Sequence, residues 1–194
     1  IKIGLQYITQ RSPEEIRELS KFKKPIFYDG KFFDIKNTLV ESVKSLKNLN
    51  VNYATVHLLN GLSALKAANQ AAQKININLL GVSVLTSFND EDLERLGFNN
   101  RVEDQVKKLI KIAMEANLHG IICSPLEIKM IKKIAPKLKC FTPGIRMENI
   151  KDDQKRTMNA NEATKEGSDC LIIGRPITKG DPKKNIKNIL SSID

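Results

Sequence analysis

The chain has 194 residues, a 41% apolar share and a formal net charge of +10, which is length enough for one domain with a full core. No stretch approaches the roughly 18 to 20 apolar residues of a membrane span, and no secretory leader pattern is visible in the sequence. The positive charge would suit nucleic acid or an anionic small substrate, but aromatics are only 5% and Trp is absent. The lysines recur as in "KKLIKIA" and "IKMIKKIAPKLK", a spacing of solvated helix faces, and no basic-aromatic stacking pattern marks a nucleic-acid surface.

Strand and helix signals alternate along the chain. "IKIGL" (1–5) is the first strand candidate. "SPEEIRELSKF" follows, with Ser12 as N-cap, Pro13 at the first helical position and acids in the first turn. "PIFYD" (25–29) is a second strand, and "NTLVESVKSLKNL" places apolar residues at 39, 40, 43, 46 and 49, one helix face. The strand "VNYATVHL" (51–58) precedes the helix "GLSALKAANQAAQ"; the strand "LLGVSVLT" (79–86) precedes "VEDQVKKLIKIAMEA". Then come "GIICS" (120–124) with "PLEIKMIKKIA", "LKCFT" (138–142) with "NANEATKEG", and "DCLIIG" (169–174) with "PKKNIKNILSSI". The strands are short and apolar on both faces, as in a covered parallel sheet.

This order predicts an α/β fold. An open doubly wound sheet and a closed (β/α)8 TIM barrel compete. Seven strands are counted, and the chain opens at Ile1 inside an apolar strand. A barrel whose first βα unit is absent or incomplete fits both facts, since one more unit gives eight strands in roughly 220 residues. No linker or composition shift divides the chain, so residues 1–194 are expected to form a single domain. Cys123, Cys140 and Cys170 lie in apolar runs without metal-ligand spacing, the pattern of buried reduced thiols in a cytoplasmic protein. His57 and His119 are too few and too scattered for a metal site of their own.

Polar residues gather where strands should end: Asp29, His57, Thr86, Ser124, and the loops "TPGIR" (142–146) and "GRPIT" (174–178). In a barrel these positions form the catalytic rim, and the loops after the last two strands often hold phosphate. Gly144 and Gly174 would let backbone N–H groups approach an anion, and Arg146 and Arg175 would supply guanidinium forks. In "DGKFFD", Asp29 and Lys31 should share one strand face, with Lys2 on the preceding strand close enough to join them. Charges of alternating sign packed this way offset one another's desolvation.

With these motifs in order, the sequence resembles the orotidine 5'-phosphate decarboxylases. The resemblance rests on "KIG", the Asp-x-Lys-x-x-Asp run of Asp29, Lys31 and Asp34 followed by "IKNT", "VSVLTS", "GIICSPLE", "TPGIR", "DDQKRTM" and "IIGRPIT". It implies decarboxylation of orotidine 5'-monophosphate to uridine 5'-monophosphate (UMP) and CO2 in pyrimidine synthesis, with no metal, pyridoxal or thiamine. It implies a catalytic tetrad of Lys2, Asp29, Lys31 and Asp34, with Lys31 protonating C6 and Asp29 against the departing carboxylate. Asp34 and Thr38 would reach the partner's site in a homodimer. Thr86 and Ser87 would touch the base; Arg146, Gln154, Gly174 and Arg175 would hold phosphate. The segment from Met147 to Met158, holding Gln154, is the candidate lid.

Four places depart from the family pattern: Gly30 for Leu, Phe33 for His, Lys36 for Pro, and "VHLLNG" for a run of smaller residues. Gly30 is expected to loosen the strand end. Two other readings compete. A Mg2+-dependent sugar-phosphate enzyme, such as a hexulose-phosphate synthase or ketogulonate-phosphate decarboxylase, shares Asp-x-Lys-x-x-Asp. A silent phosphoribosyl-ligand binder would keep the pocket without turnover.

Overall fold

The computed structural model describes residues 1–146 and 156–193. The chain packs as two compact units, Ile1–Val82 with Lys111–Gly120, and Ser83–Ile110 with Ile121–Asp194. In the first unit the order is β1 (Lys2–Gly4), α1 (Leu5–Gln10), α2 (Pro13–Glu18), β2 (Phe27–Phe32), α3 (Lys36–Ser45), β3 (Tyr53–His57), α4 (Leu62–Gln73) and β4 (Asn78–Val82). Its four strands pair in parallel in chain order. The Ser12 cap forms as expected: its hydroxyl accepts from the Glu15 N–H while the Glu15 carboxylate accepts from the Ser12 N–H. The core holds Leu39 and Val43 from α3, Leu65, Ala68 and Ala72 from α4, and Ala54, Val56, Leu79 and Leu80 from the strands, all fully buried. Each buried Leu or Val contributes about 1.5–3 kcal/mol.

The second unit carries α5 (Asp90–Arg95), most of α6 (Val102–Glu115), β5 (Gly120–Ile122), α7 (Ile128–Ile134), β6 (Lys139–Thr142), α8 (Ala160–Lys165), β7 (Cys170–Leu171), α9 (Arg175–Thr178) and α10 (Pro182–Ser191). Helix α6 buries Val106, Leu109, Ile110 and Ala113, the i, i+3, i+4, i+7 stripe of an amphipathic helix. Ile128, Ile145, Ala160, Ala163 and Ile189 form one core cluster, with Met158, Leu171 and Ile173 packed on it. Parallel strands in chain order, with helices between them, are the order of a (β/α)8 barrel, with seven strands among the described residues.

Two expectations need correction. Strand β2 does not stop at Asp29 but runs to Phe32, with a register shift against β3 between Tyr28 and Phe32. Gly30 lies within that irregular stretch. A side chain there would meet the Tyr28 ring at 2.8 Å, so the glycine gives space to Tyr28 and Phe32, whose rings lie 5.7 Å apart. Cys123 and Cys140 are buried, but Cys170 is only partly so.

Candidate active site

The first unit brings Lys2, Asp29 and Lys31 together. Asp29 lies on β2 and is 7% exposed. Its Oδ2 accepts from Lys2 Nζ at 2.8 Å and from Lys31 Nζ at 2.9 Å; its Oδ1 accepts from Lys31 Nζ at 2.8 Å and from the Thr55 hydroxyl at 3.0 Å. The β1–β2 register sets Gly4, not Lys2, opposite Asp29. Lys2 therefore reaches along the strand past Gly4, where a Cβ would come within 3.3 Å of its Nζ. Burial pushes the Asp29 carboxyl up, but the charges of Lys2 and Lys31 and their hydrogen bonds outweigh it and hold the group below its ordinary 3.8.

Simple strand alternation is not what aims Lys31. Its φ is +47°, a left-handed conformation that costs a non-glycine residue about 1–2 kcal/mol. The Lys31 N–H donates to the Thr55 hydroxyl at 2.8 Å, and that hydroxyl donates on to Asp29. Thr55, fully buried on β3, thus fixes both the strained backbone of the lysine and the carboxylate it pairs with. Thr55 escapes the sequence reading; a polar residue in the apolar run "ATV" was the available signal. His57 caps the turn after β3 through Nδ1, which accepts from the Leu59 N–H at 3.4 Å. Its ring lies 5.5 Å from Phe33. Burial, then the Lys31 charge, lower its pKa below the ordinary 6.5.

Asp34 stands apart from this array. Its side chain is exposed and its Oδ1 accepts from the Ile35 N–H at 2.7 Å. The array within this chain is Lys2, Asp29 and Lys31; the resemblance assigns Asp34 to the partner's site of a homodimer. Thr38, in the first turn of α3, is also exposed.

In the second unit, Thr86 and Ser87 are the central residues of a turn closed by the Phe88 N–H donating to the Leu85 carbonyl at 2.9 Å. Arg156 holds that turn from behind, donating to the carbonyls of Leu85 at 3.0 Å and Val84 at 3.3 Å. It also pairs with Glu127, whose second oxygen accepts from the Ser124 N–H at 2.9 Å. Glu127 is 5% exposed, and burial raises its pKa despite Arg156. Arg156→Ala leaves that buried carboxylate without its cation and should cost about 3–5 kcal/mol in urea unfolding, whereas removing both charges should cost less.

Ser124 and Thr142, two of the polar strand ends, do local structural work. The Ser124 hydroxyl accepts from the Leu126 N–H, and Thr142 Oγ lies 2.7 Å from Ser168 Oγ. Gly144 has φ +81° and turns the chain so that Arg146, 8% exposed, donates from its backbone to the Met158 carbonyl at 3.0 Å. Arg146 Nη1 donates to the Ile145 carbonyl at 2.9 Å. Gly174 caps α9 and has open space where a side chain would be; Arg175 beside it is exposed. Gln154, and residues 147–155 of the candidate lid from Met147 to Met158, lie outside the described residues.

Parallel strand–helix order, a Lys–Asp–Lys array on β1 and β2, and Gly/Arg loops after β6 and β7 define an α/β-barrel protein with an ionic site at its strand ends. The chain belongs to the orotidine 5'-phosphate decarboxylase / HUMPS family, whose sequence model matches residues 1–189. It is 41% identical to the orotidine 5'-phosphate decarboxylase of Wolbachia pipientis from Culex pipiens, over all of this chain and 86% of the relative. It is 40% identical to that of Lawsonia intracellularis, over all of this chain and 87% of the relative. The crystal structure of orotidine 5'-phosphate decarboxylase from Lactobacillus acidophilus matches with a TM-score of 0.87 at 30% identity, over 100% of this chain and 86% of that one. The Pyrococcus horikoshii structure, at 23% identity and a TM-score of 0.79, shares the fold.

Proposed function

We propose that this chain, as one catalytic domain over 1–194, converts orotidine 5'-monophosphate to UMP and CO2 in pyrimidine biosynthesis without a cofactor. The observation that carries this is the Asp29 carboxylate clamped between Lys2 and Lys31, in a chain whose relatives bear that activity in their names. Loss of CO2 from C6 leaves a carbanion with no neighbouring carbonyl to spread the charge. Catalysis must then come from charge placed in advance. The Lys31 ammonium stabilises that charge and then delivers its proton to C6. Asp29, fixed by three donors, faces the leaving carboxylate. Lys2 balances Asp29 so that the array is not left with an unpaired buried anion.

Thr86 and Ser87 meet the base, while Arg146, Gln154, Gly174 and Arg175 hold the phosphate. Binding the phosphate far from C6 fixes geometry at the reacting carbon. Asp34 and Thr38 act in the partner's site of a homodimer. The exposure of Phe33 (63%) and Ile35 (74%) on either side of Asp34 supports a protein surface covering this corner.

The family description also spans sugar-phosphate enzymes, and a Mg2+-dependent enzyme of that kind is the second reading. Parallel assays separate the two. Orotidine 5'-monophosphate should be consumed, and a hexulose 6-phosphate should remain intact with or without Mg2+. Mg2+-dependent turnover of the sugar phosphate alone would overturn the proposal.

A further inference from the structure

We infer that Asn60 is a positioning residue for Asp34. Asn60 ends the short turn after β3, and Gly61 beside it has φ +81°. Its side-chain amide is used on both ends. Nδ2 donates to the Phe32 carbonyl at 2.9 Å and to the His57 carbonyl at 2.8 Å, and Oδ1 accepts from the Asp34 N–H at 3.0 Å. Both donors and the acceptor are therefore spent on backbone. The bonds bracket Phe33, whose ring leans on His57. One planar amide thus ties the end of β2 to the end of β3 and fixes the peptide on each side of Phe33.

The consequence falls on Asp34. Its carboxylate accepts from the next N–H, Ile35, rather than from Lys2 or Lys31. Its direction is therefore set by the backbone that Asn60 holds. Two hydrogen-bonded ends of one rigid amide resist the rotation that would swing Asp34 elsewhere. A displacement of about 1 Å in a catalytic group can cost about 100-fold in rate, so a residue that touches no substrate can still limit turnover. This inference rests on the decarboxylase reading, in which Asp34 serves a site.

The test uses Asn60→Ala, Asp34→Ala and the double variant, with amide hydrogen exchange read by NMR. Asn60→Ala should lower kcat/KM about 10- to 100-fold and speed exchange of the Asp34 amide at least about tenfold, with α4 amides unchanged. In the Asp34→Ala background the Asn60 substitution should add less than about twofold, because its effect passes through Asp34. Asn60→Gln keeps the amide's donors and acceptor one methylene further out and can remake part of the clamp. It should fall between wild type and Asn60→Ala in both readouts, and it serves if the alanine variant is unstable. An unchanged Asp34 amide, or kinetic losses that multiply in the double variant, would overturn the inference. Wild-type protein that fails to decarboxylate the nucleotide would instead defeat the functional proposal, while the exchange data would still report on the clamp.

Discussion

Lys31→Ala is expected to reduce decarboxylation by at least about 1,000-fold in kcat, since a positioned general acid alone contributes about 100- to 10,000-fold. The ammonium also supplies charge stabilisation. Opposite unit charges at 4 Å are worth about 4 kcal/mol at an effective dielectric of about 20. That is a fraction of the about 8–23 kcal/mol by which enzymes lower barriers, so substrate positioning must supply much of the rest. Stability should move the other way when the backbone is considered. Lys31 holds φ +47°, and Lys31→Gly removes the Cβ that makes this region costly. Thermal unfolding should find Lys31→Gly more stable than Lys31→Ala by about 1 kcal/mol, with both inactive. If the glycine variant gained nothing over alanine, the left-handed lysine would not be a site of stored strain.

Asp29→Asn and Asp29→Ala are the second pair of large effects. Either change leaves Lys2 and Lys31 facing each other without their shared anion. The carboxylate is 10% exposed as a side chain, but the lysines are 32% and 33% exposed, so solvent blunts the penalty. A loss of about 2–3 kcal/mol is expected for Asp29→Ala, below the roughly 3–5 of a fully buried broken pair. Asp29→Asn should lose less stability, because its amide oxygen can still accept from one donor. Both should lose turnover. The pH dependence has a definite sign. Because the folded-state pKa of Asp29 lies below 3.8, its ionised form stabilises the fold above that value. The wild-type advantage over Asp29→Asn should hold from pH 5 to 7 and shrink as the pH falls through the folded-state value. An advantage that grew on acidification would contradict the ion-pair geometry.

Much of this architecture can be read from residue order because the strands are apolar on both faces and most helices announce their stripe or cap. Ser12-Pro13 and the α3 pattern are examples. Helices α1, α5 and α9 are not anticipated. Helix α1 buries no residue and α9 has four, too little for a periodic signal. The Lys2–Asp29–Lys31 array is legible in outline, because the three charges gather at neighbouring strand ends. Its actual geometry is not, because it depends on how β2 slips against β3 and on Thr55 across the sheet. Asp34 enters through the resemblance, which assigns it to the partner's site. It lies beyond the end of β2 at Phe32, and its N–H donates to Asn60 from the turn after β3. Contacts of this kind lie 24 to 28 residues apart in sequence, so local pattern does not encode them.

The most direct measurement of the central claim is the loss of orotidine 5'-monophosphate absorbance in the presence of EDTA, with wild-type protein beside Lys31→Ala. Wild-type turnover should be unchanged by EDTA and abolished by the substitution. Wild-type turnover that stops in EDTA and returns with Mg2+, or a Lys31→Ala variant that decarboxylates as well as wild type, would contradict it.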